Sequence, residues 1–216
     1  TQTFAGSPAP MPPPWQSEGE IIKGLRTSHA VFSGKTHTVE FAFGGLGVNS
    51  HWGTPRNPWD ADRHRVPGGS SSGAGVSLCE GTALVALGSD TAGSVRIPAS
   101  MTGNVGLKTS YGRWPVSGIF PLSPTLDTAG ILTKSVADAV TAFSAIDPHQ
   151  RSYGPRLARE VARCSPGDFV MGTGESALWD DCEPGICEAV EDALKALGQA
   201  GVKTVSAPLP EAVAAI

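Results

Sequence analysis

Two Gly/Ser-rich loops within residues 67–98 carry the side chains most able to do chemistry. The first reads Pro67-Gly68-Gly69-Ser70-Ser71-Ser72-Gly73 and the second Gly88-Ser89-Asp90-Thr91-Ala92-Gly93-Ser94-Val95-Arg96. A serine hydroxyl is a weak nucleophile. It needs a neighbour to accept its proton and donors aimed at the oxygen that becomes negative during attack. Gly93 lets the backbone come close to a reacting carbonyl. Successive N–H groups from Thr91 to Ser94 have the order required of an anion-binding nest. Asp90 has a plainer role open to it, ordering the turn by accepting from nearby N–H groups.

These loops need rigid supports. Val76 to Leu87 lies between them and is mostly small and apolar, with Ser77, Glu80 and Thr82 as its polar exceptions. That pattern predicts a buried helix followed by a buried strand, which together bring Ser70–Ser72 back beside Ser94. Gly/Ser clusters are most often linkers or turns, but a linker is not followed by a buried helix, a buried strand and a second Gly-Ser turn. A phosphate-binding loop is excluded, because the Gly-x4-Gly-Lys-Ser/Thr pattern is absent and Gly34-Lys35-Thr36 lacks the leading glycine.

The same residues resemble the amidase signature family. The matching motifs are Pro67-Gly-Gly-Ser-Ser-Ser-Gly73, Leu87-Gly-Ser-Asp-Thr-Ala-Gly-Ser-Val-Arg-Ile-Pro-Ala99 and Gly106-Leu-Lys-Thr-Ser-Tyr-Gly-Arg113. Gly34-Lys-Thr36, Asn57-Pro-Trp59, Ser123-Pro-Thr-Leu-Asp127 and Ser135-Val-Ala-Asp138 extend the likeness. It implies an α/β amidase-signature fold, a central mixed β-sheet flanked by helices, of which this chain holds part. It implies a Ser–cis-Ser–Lys triad, with Ser94 as acyl-forming nucleophile and Ser70, preceded by a cis peptide bond, as the bridging serine. The oxyanion hole falls on the backbone N–H groups of Thr91, Ala92, Gly93 and Ser94, and Gly69, Ser71, Asp90 and Arg96 become supporting residues. Ala92 stands where the family often has glycine, which matters only if that position needs positive φ.

The family's lysine aligns with none of Lys23, Lys35 or Lys108; the resemblance places it upstream of Thr1. Residues 1–216 are therefore expected to be a single incomplete amidase-signature domain, with its core motif at 67–113 and with the N-terminal lysine region and C-terminal half absent. Such a piece is expected to be inactive alone and to expose apolar surface. The implied reaction is hydrolysis of a carboxylic amide to acid plus ammonia or amine, with no cofactor and no metal. The Pro121–Thr128 segment resembles free-standing amidases more than it does the alternative, an A-type glutaminase component of a tRNA-dependent amidotransferase. A catalytically dead binding relative is the remaining reading, and the intact serine pair argues against it.

Composition bounds the partners. The chain has 216 residues, 40% hydrophobic and 17% charged, which describes a globular protein of about one domain. A net charge of −4 leaves no basic footprint for nucleic acid. No apolar run approaches the roughly 20 residues of a membrane span. A small-molecule amide is the expected partner, in the cytoplasm, with a homodimer the assembly left open. Cys79, Cys164, Cys182 and Cys187 match no zinc spacing, and Cys79 reads as a small buried hydrophobe. His37, His51 and His64 sit in polar loops near the two serine motifs, where a Ser–His dyad is conceivable.

The remaining elements follow from pattern. Pro8, Pro10 and Pro12–Pro14 exclude a helix in residues 1–17. From Glu18, Ile21, Ile22 and Leu25 predict a short amphipathic helix. Ala30-Val31-Phe32 reads as a buried strand ended by Gly34. Residues 44–69 read as a long loop framing the entrance to Ser70. A helix is expected over 99–104 after Pro98, a strand at Val105–Leu107, and loop over 109–130. Within that loop Trp114, Ile119, Phe120 and Leu122 either line an apolar pocket or simply pack. Ser135-x-x-Asp138 opens a capped helix ending near Asp147-Pro148. Residues 148–176 read as an exposed connection, Pro184–Ala200 as a helix and Val202–Val205 as a strand.

Overall fold

The computed structural model describes residues 1–149, 156–174 and 182–207. They fall into two compact units, Thr1–Ala158 and Arg159–Ile216. In the first, α1 (Glu20–Thr27), α2 (Ser72–Cys79), β1 (Val85–Asp90), α3 (Arg96–Thr102), β2 (Val105–Lys108), β3 (Thr128–Thr133) and α4 (Val136–Ile146) follow in chain order. The strands make a three-stranded sheet ordered β1-β3-β2. Both outer strands run antiparallel to β3, in registers from Val85↔Thr133 to Asp90↔Thr128 and from Val105↔Thr133 to Lys108↔Gly130.

The middle strand β3 organises the core, and all six of its residues are buried. Side chains alternate across a strand. Ala129 and Ile131 pack on one side with Ile21, Trp114, Ala139, Ala142 and Ile146. Leu132 packs on the other with Ala74, Leu78, Ala86, Val95 and Ala99. Burying Ile131 fully stabilises the unit by about 2 kcal/mol. This strand lies inside and just beyond the stretch expected to be loop. Its polar ends, Thr128 and Thr133, and the central Gly130 break the apolar run that marks a strand covered on both faces.

The capped helix forms as expected. Ser135 Oγ accepts from the Asp138 N–H at 3.1 Å and donates to the Asp138 carboxylate at 2.7 Å. α4 ends at Asp147, which is fully buried. Its carboxylate accepts from Arg113 Nε at 2.6 Å, Trp114 Nε1 at 3.1 Å and the His149 N–H at 2.9 Å. Trp114 and Ile119 thus belong to the core. Phe120 meets Trp15 edge-on and Phe41 at a tilt, each at 5.5 Å between centroids. Packing accounts for Trp114 and Ile119.

Several expectations need correction. Ala30-Val31-Phe32 is not a strand: Val31 is 95% exposed. His29 takes φ +59° and the Ala30 N–H turns back to the Leu25 carbonyl, so these residues cap α1. Phe32 lies under the Arg26 guanidinium at 5.0 Å. Residues Pro13–Gln16 form a 3₁₀ turn where proline was expected to exclude helix; a single turn uses proline's fixed φ and asks few N–H donors of it. The α3 helix begins at Arg96, three residues before the expected start, because the Asp90 carboxylate holds the turn ahead of it. β1 continues to Asp90, and its start is open to solvent, with Leu84 84% and Val85 40% exposed.

The short helix α5 (Arg156–Val161) spans the division, and in the second unit the expected connection contains a strand, β4 (Val170–Thr173). β4 pairs in parallel with β5 (Lys203–Ser206), and α6 (Pro184–Gln199) links the two. A parallel pair requires such a crossover. α6 and β5 match their expected positions. The expected apolar face of α6 is only partly covered, with Ile186 55% and Leu197 40% exposed and Val190 and Leu194 half-buried. Helices alternating with strands agree with the α/β expectation; within the described residues the first unit's sheet is antiparallel and the second unit's pair is parallel.

Replacing Asp147 by alanine strands the Trp114 indole N–H in the core. Urea unfolding should show a loss of about 2–3 kcal/mol. A loss below about 0.5 kcal/mol, the scale of an ordinary surface change, would mean the carboxylate is not a fastener.

Candidate active site

The second Gly/Ser loop leaves the sheet at the end of β1, and Asp90 shapes it. This carboxylate is fully buried. One oxygen accepts from the Gly93 N–H at 2.8 Å and from Arg96 Nη2 at 2.9 Å. The other accepts from the Val95 N–H at 3.2 Å, the Arg96 N–H at 3.4 Å and Arg96 Nε at 3.0 Å. Burial alone would raise the Asp90 pKa. The Arg96 fork, with the Val95 and Gly93 N–H groups, outweighs it and holds the carboxyl below its ordinary value. The plainer role open to Asp90 in the sequence is the one it performs.

Gly93 takes φ +127°, and a Cβ there would lie 2.7 Å from Ile97 Cδ1. No other residue suits this corner. Ala92 is not among the positive-φ residues, so its methyl group costs no backbone strain. Gly93 spends its N–H on Asp90. Among the described residues, the N–H groups of Thr91, Ala92 and Ser94 take no hydrogen bond within the chain, which leaves them available to an oxyanion. Thr91 is fixed from outside the loop: its hydroxyl donates to Asp127, which also accepts from the N–H groups of Leu122 and Ser123.

The first Gly/Ser loop is buried from Pro67 through Leu78, and it enters α2 at Ser72. The Gly69–Ser70 peptide bond is cis. The Gly68 and Gly69 N–H groups donate to the Leu46 and Gly45 carbonyls at 3.2 and 2.7 Å. A Cβ on Gly69 would lie 2.6 Å from the Gly44 oxygen. Residues 44–47 thus back onto Gly68 and Gly69, just before Ser70. On the other side, the Ser70 carbonyl accepts from the Val39 N–H at 3.0 Å and from Thr38 Oγ1 at 2.9 Å.

The two loops meet at one bond. The Ser71 N–H donates to the Ser94 carbonyl at 3.2 Å. This ties the residue after Ser70 to Ser94 itself. Among the described residues neither Ser70 Oγ nor Ser94 Oγ makes a hydrogen bond, to the other or to a third group, so both hydroxyls keep their bonding capacity. Glycine makes the approach to the sheet possible. Gly88 and Gly130 are paired in register. A Cβ on Gly88 would lie 2.6 Å from Ser71 Oγ, and one on Gly130 would lie 3.1 Å from Val95 Cγ2.

The structure therefore brings together Ser70, Ser71, Asp90, Thr91, Ala92, Gly93, Ser94 and Arg96, with Gly69 behind them. The conceivable Ser–His dyad takes another form. His37 Nδ1 lies 3.2 Å from Ser72 Oγ, and His51 Nε2 pairs with Glu40 at 3.0 Å. Lys35 donates to Thr3 Oγ1 at 2.6 Å and Lys108 to the Thr109 carbonyl at 2.7 Å. Cys79 is half-buried and its thiol points at the Thr102 carbonyl at 3.0 Å. Among the described residues, no cluster of three His, Cys, Asp or Glu is placed to hold a metal, and no helix is long and apolar enough to cross a membrane. Sequence reasoning missed Thr38 and Val39, which pin the first loop, and Asn49, which holds Thr38; Thr38 lies just past the quoted Gly34-Lys-Thr36 motif, but nothing in its own type singled it out.

A sheet carrying a cis Gly-Ser peptide tied to a second serine turn is the arrangement implied by the amidase resemblance, and comparison with known proteins agrees. The family model described as Amidase matches residues 1–216, and the chain belongs to that family. The 2-amino-5-chloromuconic acid deaminase of Comamonas testosteroni is 55% identical over 96% of this chain and 44% of its own length. The A-type component of the glutamyl-tRNA(Gln) amidotransferase of Akkermansia muciniphila is 37% identical over 90% of this chain and 42% of its own. The peptide amidase of Stenotrophomonas maltophilia superposes with a TM-score of 0.78 at 31% identity, over 97% of this chain and 45% of that one. The chain thus spans less than half the length of the relatives it matches.

The depressed Asp90 pKa sets a pH signature. An unfolded aspartate titrates near pH 4. Stabilisation from a carboxyl with a lower folded value is present above that pH and fades as pH falls through the folded value. The stability gap between the natural chain and Asp90→Asn, followed by thermal unfolding, should be full at pH 7 and shrink steadily toward pH 3. A gap independent of pH would deny the carboxylate's charge any part in holding the turn.

Proposed function

We propose that this chain carries the nucleophile side of an amide hydrolase. Ser94 attacks the carbonyl carbon of a carboxylic amide. Ser70 takes the Ser94 proton and hands its own to the family's lysine, which is none of Lys23, Lys35 or Lys108. Protonation of the leaving nitrogen through Ser70 breaks the C–N bond and leaves an acyl ester on Ser94. Water then releases the acid. The observation that carries this reading is the Ser71 N–H bond to the Ser94 carbonyl, which makes neighbours of two serines otherwise separated by a helix and a strand.

The N–H groups of Thr91, Ala92 and Ser94 are the donors for the oxyanion, while Gly93 supplies the bend and Asp90 with Arg96 holds it. One such donor is worth about 10²–10³ in rate. The small-molecule partner is an amide, and the proposed location is the cytoplasm. The deaminase at 55% identity supports release of ammonia from its own substrate class. The amidotransferase relatives give a second reading, in which the ammonia is passed on instead of discarded. Free ammonia produced in stoichiometry with acid, without any acceptor added, favours hydrolysis; ammonia appearing only in an acceptor favours the second.

In the full-length natural protein, a fluorophosphonate probe should label Ser94, and Ser94→Ala should abolish both labelling and amide turnover, a loss of at least about 10³-fold. Peptide mapping that finds the label undiminished in the variant would remove Ser94 from the role.

A further inference from the structure

We propose that Thr38 is a positioning residue for Ser70, holding the Ser70–Ser71 peptide plane in the orientation from which the Ser70 hydroxyl relays protons. The inference rests on the relay role proposed above. It starts from a redundancy. The Ser70 carbonyl already has a donor in the Val39 N–H at 3.0 Å, which satisfies a buried acceptor. Thr38 Oγ1 adds a second donor at 2.9 Å. A carbonyl oxygen has two lone pairs, and two donors on them fix the tilt of its plane as well as its direction. At the other end of the same plane, the Ser71 N–H is tied to the Ser94 carbonyl at 3.2 Å. The peptide is therefore clamped at both ends, and one clamp is residue 94 itself. The plane sets ψ at Ser70 and with it the direction of the Cα–Cβ bond that carries Oγ.

Thr38 is itself immobilised. Asn49 is buried and donates through Nδ2 to the Thr38 carbonyl at 2.9 Å and to the Gly6 carbonyl at 2.8 Å. Asn49 Oδ1 accepts from the His51 and Trp52 N–H groups at 2.8 and 3.0 Å. The neighbouring His37 carbonyl accepts from the Gly73 N–H at 2.9 Å. Residues 37–39 thus form a strap laid across 70–73 and anchored by Asn49. In this strap the Thr38 hydroxyl is the one side-chain group on the Ser70 carbonyl, so it can be removed with the backbone bonds left in place.

The test uses the full-length natural protein with Thr38→Val, Thr38→Ala and Thr38→Ser. Alanine removes the hydroxyl without setting a methyl group against the carbonyl, should valine fail to fold. We expect valine and alanine to lower both the fluorophosphonate labelling rate and kcat about tenfold, the scale of one hydrogen bond. KM should stay within about twofold, and serine should restore both rates to within about twofold. Labelling at the natural rate in Thr38→Ala overturns the proposal. So does a loss in serine equal to that in alanine, since the hydroxyl would then not be the active part. Natural protein that is labelled somewhere other than Ser94 overturns the relay reading itself, a result visible before any Thr38 variant is made.

Discussion

A buried carboxylate at the end of a strand is the constraint on which the rest of the site depends. Asp90 leaves the sheet with no solvent to satisfy it and gathers donors from the next six residues. An isolated charge at full burial would be prohibitive. The chain resolves this by folding back on the charge. That fold-back gives the turn its shape, starts α3 at Arg96, and presents Ser94 with the N–H groups of Thr91 and Ala92 unspent. Electrostatic necessity and the placement of Ser94 are the same event here.

Close packing supplies the second requirement. The loops reach each other because glycine stands wherever backbone must touch backbone or sheet. Gly88 and Gly130 open the sheet surface to Ser71 and Val95, and Gly75 lets α2 lie within 3.1 Å of the Pro98 carbonyl, measured from where a Cβ would stand. Side chains at these positions would push the two serine loops apart. The dense glycine content of the motif region is thus a matter of clearance, not of flexibility. A rigid arrangement follows, in which neither hydroxyl is tied by a hydrogen bond while the backbones are held.

Reading the motif from sequence worked where the signal was local. The helix and strand between the loops, the Ser135 cap and the roles open to Asp90 and Gly93 were all legible. The errors share a cause. Ala30-Val31-Phe32 is apolar yet exposed, since among the described residues no strand pairs with it. β3 is the best-buried strand and was missed, since its threonines and glycine are chosen for what lies across from them. Apolarity reports a tendency to be covered, and only the fold says whether a cover exists.

The order of residue types along 67–98 settles by itself that two serines, a glycine bend and a buried acid sit on short rigid loops, because propensity, clearance and charge act between near neighbours. It equally settles the family. What the order of residues does not contain is the meeting of those loops. The bond from residue 71 to residue 94, the strap of residues 37–39 over Ser70, and the grip of Asp127 on Thr91 join stretches far apart in the chain. Such contacts arise only when the sheet and its two layers of packing close around β3, since hydrogen bonds of this kind depend on distances that local pattern does not encode.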